Sequence, residues 1–241
     1  MAGDYAATLD ELRRELKKAD KPANRMNYQQ FFKEKLEEPT GLRTNVVRTI
    51  SKDVYKRVGL KPEEALDCAE YLLASGERYM TFFAFEWGVK ANKLFKKSDF
   101  ARFERWIKEY VTDWGKCDHI CGGLMGMLLQ TYPDLVARTH KWRRSRNRWL
   151  KRAAAVSLIL PVRKGLLFDE VTGAADAMLT DPDDMVQKGY GWTLKESCKM
   201  FEDEVYAFVM ARRDRMPRTA LRYAIEKMPP KRRAECMKRV G

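Results

Sequence analysis

Apolar residues recur at three- and four-residue intervals from one end of this 241-residue chain to the other, and two-residue alternation is nearly absent. That period puts an apolar stripe on each of many helices and leaves little from which to build a sheet. Helix punctuation agrees with it. Thr44 precedes NVVRTISKDVYKRV, and Pro62 opens EEALDCAEYLLAS, which stops at Gly76. Ser145 precedes RNRWLKRAAAVSLIL, which Pro161 is expected to end. The run Asp181, Pro182, Asp183, Asp184 combines an N-cap, a first-turn proline and acids that complement the helix dipole. Pro217 begins a further helix, and Pro229 with Pro230 ends it.

A longer period overlies the short one. The segments RNRWLKRAA at 146–154, PDDMVQKGY at 182–190 and PRTALRYAI at 217–225 open helices of similar character. Anchored on Leu150, Val186 and Leu221, they step by 36 and 35 residues. A step of 36 back from Leu150 reaches Trp114, and another reaches Arg78. Spacings of this size mark stacked helix pairs, each unable to bury its apolar face alone. The expected fold is all-α: a HEAT-like repeat solenoid of stacked antiparallel helix pairs with a concave basic face. One domain, 1–241, is expected, with 1–25 forming an N-terminal helix and its lead-in. A chain of this length buries roughly 70–75% of its unfolded surface, so it needs no disulfide framework.

The charge is one-sided. Lys and Arg number 47 against 34 Asp and Glu, a net +13. Residues 135–168 hold ten Lys or Arg and no acid, and residues 211–241 hold eleven against three, so the rest of the chain is net acidic. Such asymmetry points to a polyanionic partner, a nucleic acid or an anionic membrane surface. The longest apolar run, AAAVSLILPV, falls short of the roughly 20 residues a bilayer span requires, and no membrane partner is expected. The opening ATLDELRRELKKA is charged and amphipathic, unlike a signal peptide. Five cysteines, an odd and scattered set, suit a reducing interior, and a cytoplasmic location is expected, nucleoid-associated in a prokaryote.

Few residues are available for chemistry. His119 and His140 are the only histidines, which leaves thin support for a Ser-His-Asp or Cys-His nucleophile. No Walker phosphate loop or dinucleotide fingerprint is present. Cys117, His119 and Cys121 invite a zinc reading, but a structural zinc usually takes four ligands in recognisable pairs. Cys117 and Cys121, at helical spacing, are expected to be small core residues, and no metal or cofactor is expected. Gly122 and Gly123 read as close helix packing. There remain Trp114 and Asp118, four residues apart and so on one helix face, an aromatic ring beside a carboxylate suited to a positive charge. By the 36-residue step, Arg152 and Trp192 lie on equivalent helices, and the basic segment HKWRRSRNRWLKR would flank them with contacts to phosphate.

DWGKCDHI, then WLKRAA, then GYGWTLKE resembles the pattern of the AlkD-type DNA alkylation-repair glycosylases, in order and at similar separations. GLRTNVVRTISKDV resembles that family's segment of a glycine, a hydrophobic residue, a threonine and an arginine. The likeness extends from about residue 25 to the last turns. It implies HEAT-like repeats across duplex DNA and excision of N3- and N7-alkylated purines. It places Trp114, Asp118 and Trp192 at the lesion as the catalytic set. Arg152 would hold phosphate, joined by the neighbouring Arg144, Arg146, Arg148 and Lys151 of the basic segment. Lys195 stands where the family often has arginine, which keeps charge but loses bidentate phosphate contact. The protein is expected to act as a monomer. Two other readings stay open: a noncatalytic HEAT-like protein that binds damaged or branched DNA, or RNA, and a protein-binding scaffold.

Overall fold

The computed structural model describes residues 5–31, 35, 36 and 38–238. The chain falls into two compact units, 1–94 and 95–241.

The first unit contains helices α1 (Tyr5–Ala19), α2 (Thr44–Val58), α3 (Ala65–Ala74) and α4 (Met80–Gly88). Leu12, Val54, Cys68, Leu72, Phe83 and Trp87 are its fully buried centre. Trp87 donates its indole N–H to Ser51 Oγ at 2.9 Å, satisfying the one polar atom of a buried ring. Two three-residue strands, β1 (Arg25–Asn27) and β2 (Thr40–Leu42), pair antiparallel with Met26 opposite Gly41. The sequence pattern did not foretell this ribbon, because three residues are too few to alternate. Side chains hold it in place: Tyr28 Oη donates to the Leu42 carbonyl at 2.6 Å, and Leu42 N–H donates to Tyr79 Oη at 2.8 Å. Arg78, reached by the backward 36-residue step, donates to the Thr40 carbonyl at 2.9 Å and belongs to this staple.

The second unit runs through α5 (Asp99–Tyr110), α6 (Trp114–Ile120), α7 (Gly126–Thr131), α8 (Arg148–Val156), α9 (Ile159–Val162) and α10 (Phe168–Ala177). It closes with α11 (Asp184–Met210), α12 (Arg218–Ala224) and α13 (Pro230–Met237). A 3₁₀ segment, Pro133–Arg144, leads into α8. The 35-residue period has a direct counterpart here. Polar ties between elements join residues 37, 38, 34, 30, 33, 36, 31 and 30 positions apart: Lys97–Asp134, Glu104–Trp142, Asp118–Arg152, Lys151–Asp181, Arg163–Glu196, Asp176–Arg212, Lys195–Glu226 and Glu202–Arg232. Each helix pair is thus fastened to the next at one repeat's distance, which makes this an all-α helical-repeat fold, as expected.

Several helix starts differ in detail from the sequence reading. Asn147, not Ser145, caps α8, accepting the N–H of Trp149 at 2.8 Å; Ser145 instead accepts the Asn147 N–H at 3.1 Å in a preceding turn. α8 ends at Val156, and Pro161 sits inside the one-turn α9 that follows, where its missing N–H is one of the unpaired first four. Asp183 caps α11 through the N–H of Met185 at 2.8 Å, so Pro182 precedes the cap rather than following it. Pro230 opens α13 rather than ending the previous helix, since α12 already stops at Ala224, before either proline. No described helix is long and apolar enough to cross a membrane.

Candidate active site

Asp113 caps α6 by accepting the Lys116 N–H at 2.9 Å, which makes Trp114 the first helical residue and places Asp118 one turn later. Trp114 is half-buried. Cys117 lies fully buried and donates its thiol to the Trp149 carbonyl at 3.6 Å, tying α6 to α8 beside Asp118. From α8, Arg152 reaches back: Nε donates to Asp118 Oδ1 at 2.8 Å and Nη2 to Oδ2 at 2.9 Å, a two-pronged ion pair. Its third prong, Nη1, donates to the Met185 carbonyl in the first turn of α11 at 2.6 Å. Arg152 is only 5% exposed, and the Asp118 side chain 19%. One buried guanidinium therefore fixes a carboxylate between three helices.

The α11 face that receives Arg152 is set by spacing. Met185, Gly189, Trp192 and Glu196 follow one another at four, three and four residues, a single stripe along the helix. A Cβ at Gly189 would lie 3.1 Å from Arg152 Cγ and 3.5 Å from Nη1, so the glycine is what lets the arginine stem rest on α11. Gly191 does the same on the other side, where a Cβ would meet the Ala220 carbonyl at 2.8 Å. The two glycines of GYGW thus bring α8 and α12 against α11. One turn past Gly189 stands Trp192, half-buried, its indole N–H donated to Glu196 Oε1 at 3.2 Å.

Electrostatics favour a charged but restrained pair. Burial pushes the Asp118 carboxyl above its ordinary value, and the Arg152 hydrogen bonds oppose that push. Burial alone would lower the Arg152 guanidinium, but Asp118 outweighs it and the group stays protonated. Removing two charges from water costs more than most surface pairs return, so such a pair specifies geometry before it adds stability. Burial and a hydrogen bond with Cys121 raise the Cys117 thiol well above its usual range, leaving it a protonated core group. Cys121 is also fully buried, and no cluster of three metal-binding side chains occurs among the described residues. Of the close packing expected at Gly122 and Gly123, none is found at Gly122, whereas Gly126 is tightly packed. The chain coils through a π-helical turn, Cys121–Met125, and a Cβ at Gly126 would lie 2.5 Å from the Cys121 carbonyl, whereas one at Gly122 would meet nothing.

The six cations expected at phosphate fall into three groups. Arg144 and Arg146 are exposed and take no ion pair among the described residues. Arg148 and Lys151 are bound to the carboxylates before α11, Asp183 at 2.7 Å and Asp181 at 2.6 Å; Lys195 is paired with Glu226 at 3.1 Å. Arg152 departs furthest from the sequence reading: its charge faces Asp118 inside the protein, not solvent. Sequence reasoning missed Met185, Gly189 and Glu196. A glycine inside a strong helical pattern signals a close backbone approach, and that signal was available. The Met185 carbonyl left no trace in the residue types.

A helical-repeat protein with a buried carboxylate–guanidinium pair beside half-buried tryptophans is the class that this geometry defines. The chain belongs to the family of DNA alkylation repair enzymes, whose model matches residues 12–228. Its partner by that membership is DNA. A solved structure described as a predicted DNA alkylation repair enzyme from Enterococcus faecalis shares the fold, with a TM-score of 0.67 at 16% identity over 79% of this chain and 88% of that one. No curated protein matches the chain in sequence.

Proposed function

We propose that this protein is a monofunctional DNA glycosylase that releases N3- and N7-alkylated purines from duplex DNA in the cytoplasm, acting as a monomer. The observation that carries the reading is the Asp118 carboxylate, fixed by Arg152 on one helix face with Trp114. An N3- or N7-alkylated purine is already cationic, so the bond from C1′ to its ring nitrogen breaks with the electron pair passing to a neutral leaving base. No general acid, metal or cofactor is needed for that departure. Positive charge develops on the sugar, and water then adds at C1′ and gives up a proton. Asp118 stabilises the sugar cation and accepts that proton, while the faces of Trp114 and Trp192 favour the cationic groups by about 0.5–2 kcal/mol each.

The pairing with Arg152 tempers the rate effect. A carboxylate about 4 Å from the sugar cation contributes ~4 kcal/mol at an effective dielectric of ~20, and a guanidinium about 8 Å away takes back ~2 kcal/mol. The net ~2 kcal/mol is about thirtyfold in rate. Arg152 is then a positioning residue for Asp118. Phosphate contact falls to the exposed Arg144 and Arg146, with Arg148, Lys151 and Lys195 held to carboxylates nearby.

One observation favours the second reading, a noncatalytic binder of damaged DNA: Asp118 is already charge-balanced without substrate. Incubation with methylated duplex DNA, followed by mass quantification of free 7-methylguanine and 3-methyladenine, separates the two. Release above the spontaneous rate supports the glycosylase. A folded, DNA-binding protein that releases nothing moves the assignment to the binder.

A further inference from the structure

Glu196 has no part in the reaction just described, yet it is 6% exposed and carries three charged or polar partners from three directions. Trp192 Nε1 donates to its Oε1 at 3.2 Å from one turn earlier on α11. Arg163, in the turn after α9, donates Nε to Oε2 at 2.9 Å. Lys227, beyond α12, donates Nζ to both oxygens at 3.0 Å. The carboxylate's ionised state is favoured, since Lys227 and Arg163 outweigh a burial penalty that would raise its pKa.

A half-buried indole with a single polar atom has few ways to be held. Its ring packs by area, which is not directional, and its N–H fixes the rotation about χ2 only when the acceptor is itself immobile. Glu196 is such an acceptor: two cations on separate elements clamp both its oxygens. An ionised acceptor also makes a stronger bond than a neutral one and polarises the donor ring, leaving more negative charge on the indole face. A face made more negative binds a cation better.

We propose that Glu196 is the positioning residue for Trp192: clamped by Arg163 and Lys227, it fixes the rotamer of the indole and polarises its face toward a cationic alkylated base. The kinetic part rests on the glycosylase reading above; the geometric part does not.

The test pairs spectroscopy with kinetics. The indole ¹H–¹⁵N cross-peak of Trp192 is assigned by its loss in Trp192→Phe. In Glu196→Gln, which keeps an acceptor of the same shape without charge, that cross-peak is expected to move upfield while circular dichroism stays native. Lys227→Met, which loosens the clamp and keeps the carboxylate, should shift it less. Glu196→Asp retains charge but withdraws the oxygen by one methylene, and so tests the same contact if Glu196→Gln does not fold. Single-turnover base release at saturating protein is expected to fall about tenfold in Glu196→Gln, with affinity for undamaged duplex changed less than twofold.

A Trp192 cross-peak that stays put in a folded Glu196→Gln or Glu196→Asp overturns the proposal. So does a cross-peak shift in Lys227→Met equal to that in Glu196→Gln, which would make Glu196 one brace among several. If the wild type releases no base, the glycosylase reading fails while the cross-peak still decides the role of Glu196.

Discussion

Replacing Arg152 with methionine keeps most of the buried stem and removes the charge that faces Asp118. The wild-type pair is two-pronged at 2.8 and 2.9 Å, with the arginine 5% exposed. Breaking one partner of such a pair costs about 3 kcal/mol or more, because the other charge stays behind uncompensated. For a chain of this size that is a fall in melting temperature of roughly 6–12 °C in the transition that reports residues 95–241. The sign with pH follows from Asp118. Burial already raises its folded-state pKa, and Arg152 is what opposes the rise. Without Arg152 the folded value climbs further above the unfolded one, about 3.9. An acid whose folded pKa is raised gains stability as it takes up a proton, so the deficit of Arg152→Met should shrink as pH falls from 7 toward 5. Adding Asp118→Asn should recover most of the loss at pH 7, giving a coupling of about 2 kcal/mol in a double-mutant cycle. Thermal and urea unfolding across pH measure all of this. Arg152→Met melting within ~2 °C of wild type at pH 7 would refute the claim that the pair is closed and buried.

Other consequences are shorter to state. Gly189→Ala should press Arg152 away from α11 and lower base release about tenfold, with little change in melting temperature because alanine favours the helix by up to ~1 kcal/mol. Gly191→Ala meets backbone rather than a side chain and should destabilise instead, by about 1–3 kcal/mol on unfolding. Substituting Arg144 or Arg146 with alanine should leave stability unchanged and reduce the slope of log affinity against log salt by about 0.9 for each phosphate no longer neutralised; an unchanged slope removes them from the DNA interface. Burial pushes the Glu104, Glu170 and Glu196 carboxyls up, yet their hydrogen-bonding partners hold each below the ordinary carboxylate value: Trp142 and Lys141 at Glu104, His140 and Arg143 at Glu170, Lys227 and Arg163 at Glu196. Their stabilisation is therefore present above the unfolded pKa, about 4.3, and lost as pH falls below it, so melting temperature should drop steeply under pH 4.

Much of this architecture was legible in residue order because it repeats. The 35- and 36-residue steps through Leu150, Val186 and Leu221 became polar ties joining residues 30 to 38 apart, and the aromatic–carboxylate spacing became one face of α6. What stayed hidden depends on backbone or on burial. The Met185 carbonyl is a main-chain atom, available to Arg152 only because Asp183 caps α11 where it does. Arg152 looked like a surface cation by residue type, and only its burial opposite Asp118 turned it inward. The β1–β2 ribbon was invisible because Tyr28 and Tyr79, distant in sequence, hold what three-residue strands cannot.

The most direct test of Asp118 as the group that stabilises the sugar cation is single-turnover release of 7-methylguanine by Asp118→Asn at saturating protein, beside wild type and with duplex affinity measured on the same samples. Wild-type release above background is expected, with a loss of about thirtyfold or more in the variant and DNA binding equal or slightly tighter. Release by Asp118→Asn at the wild-type rate would contradict that role, leaving the Asp118–Arg152 pair as a brace between helices.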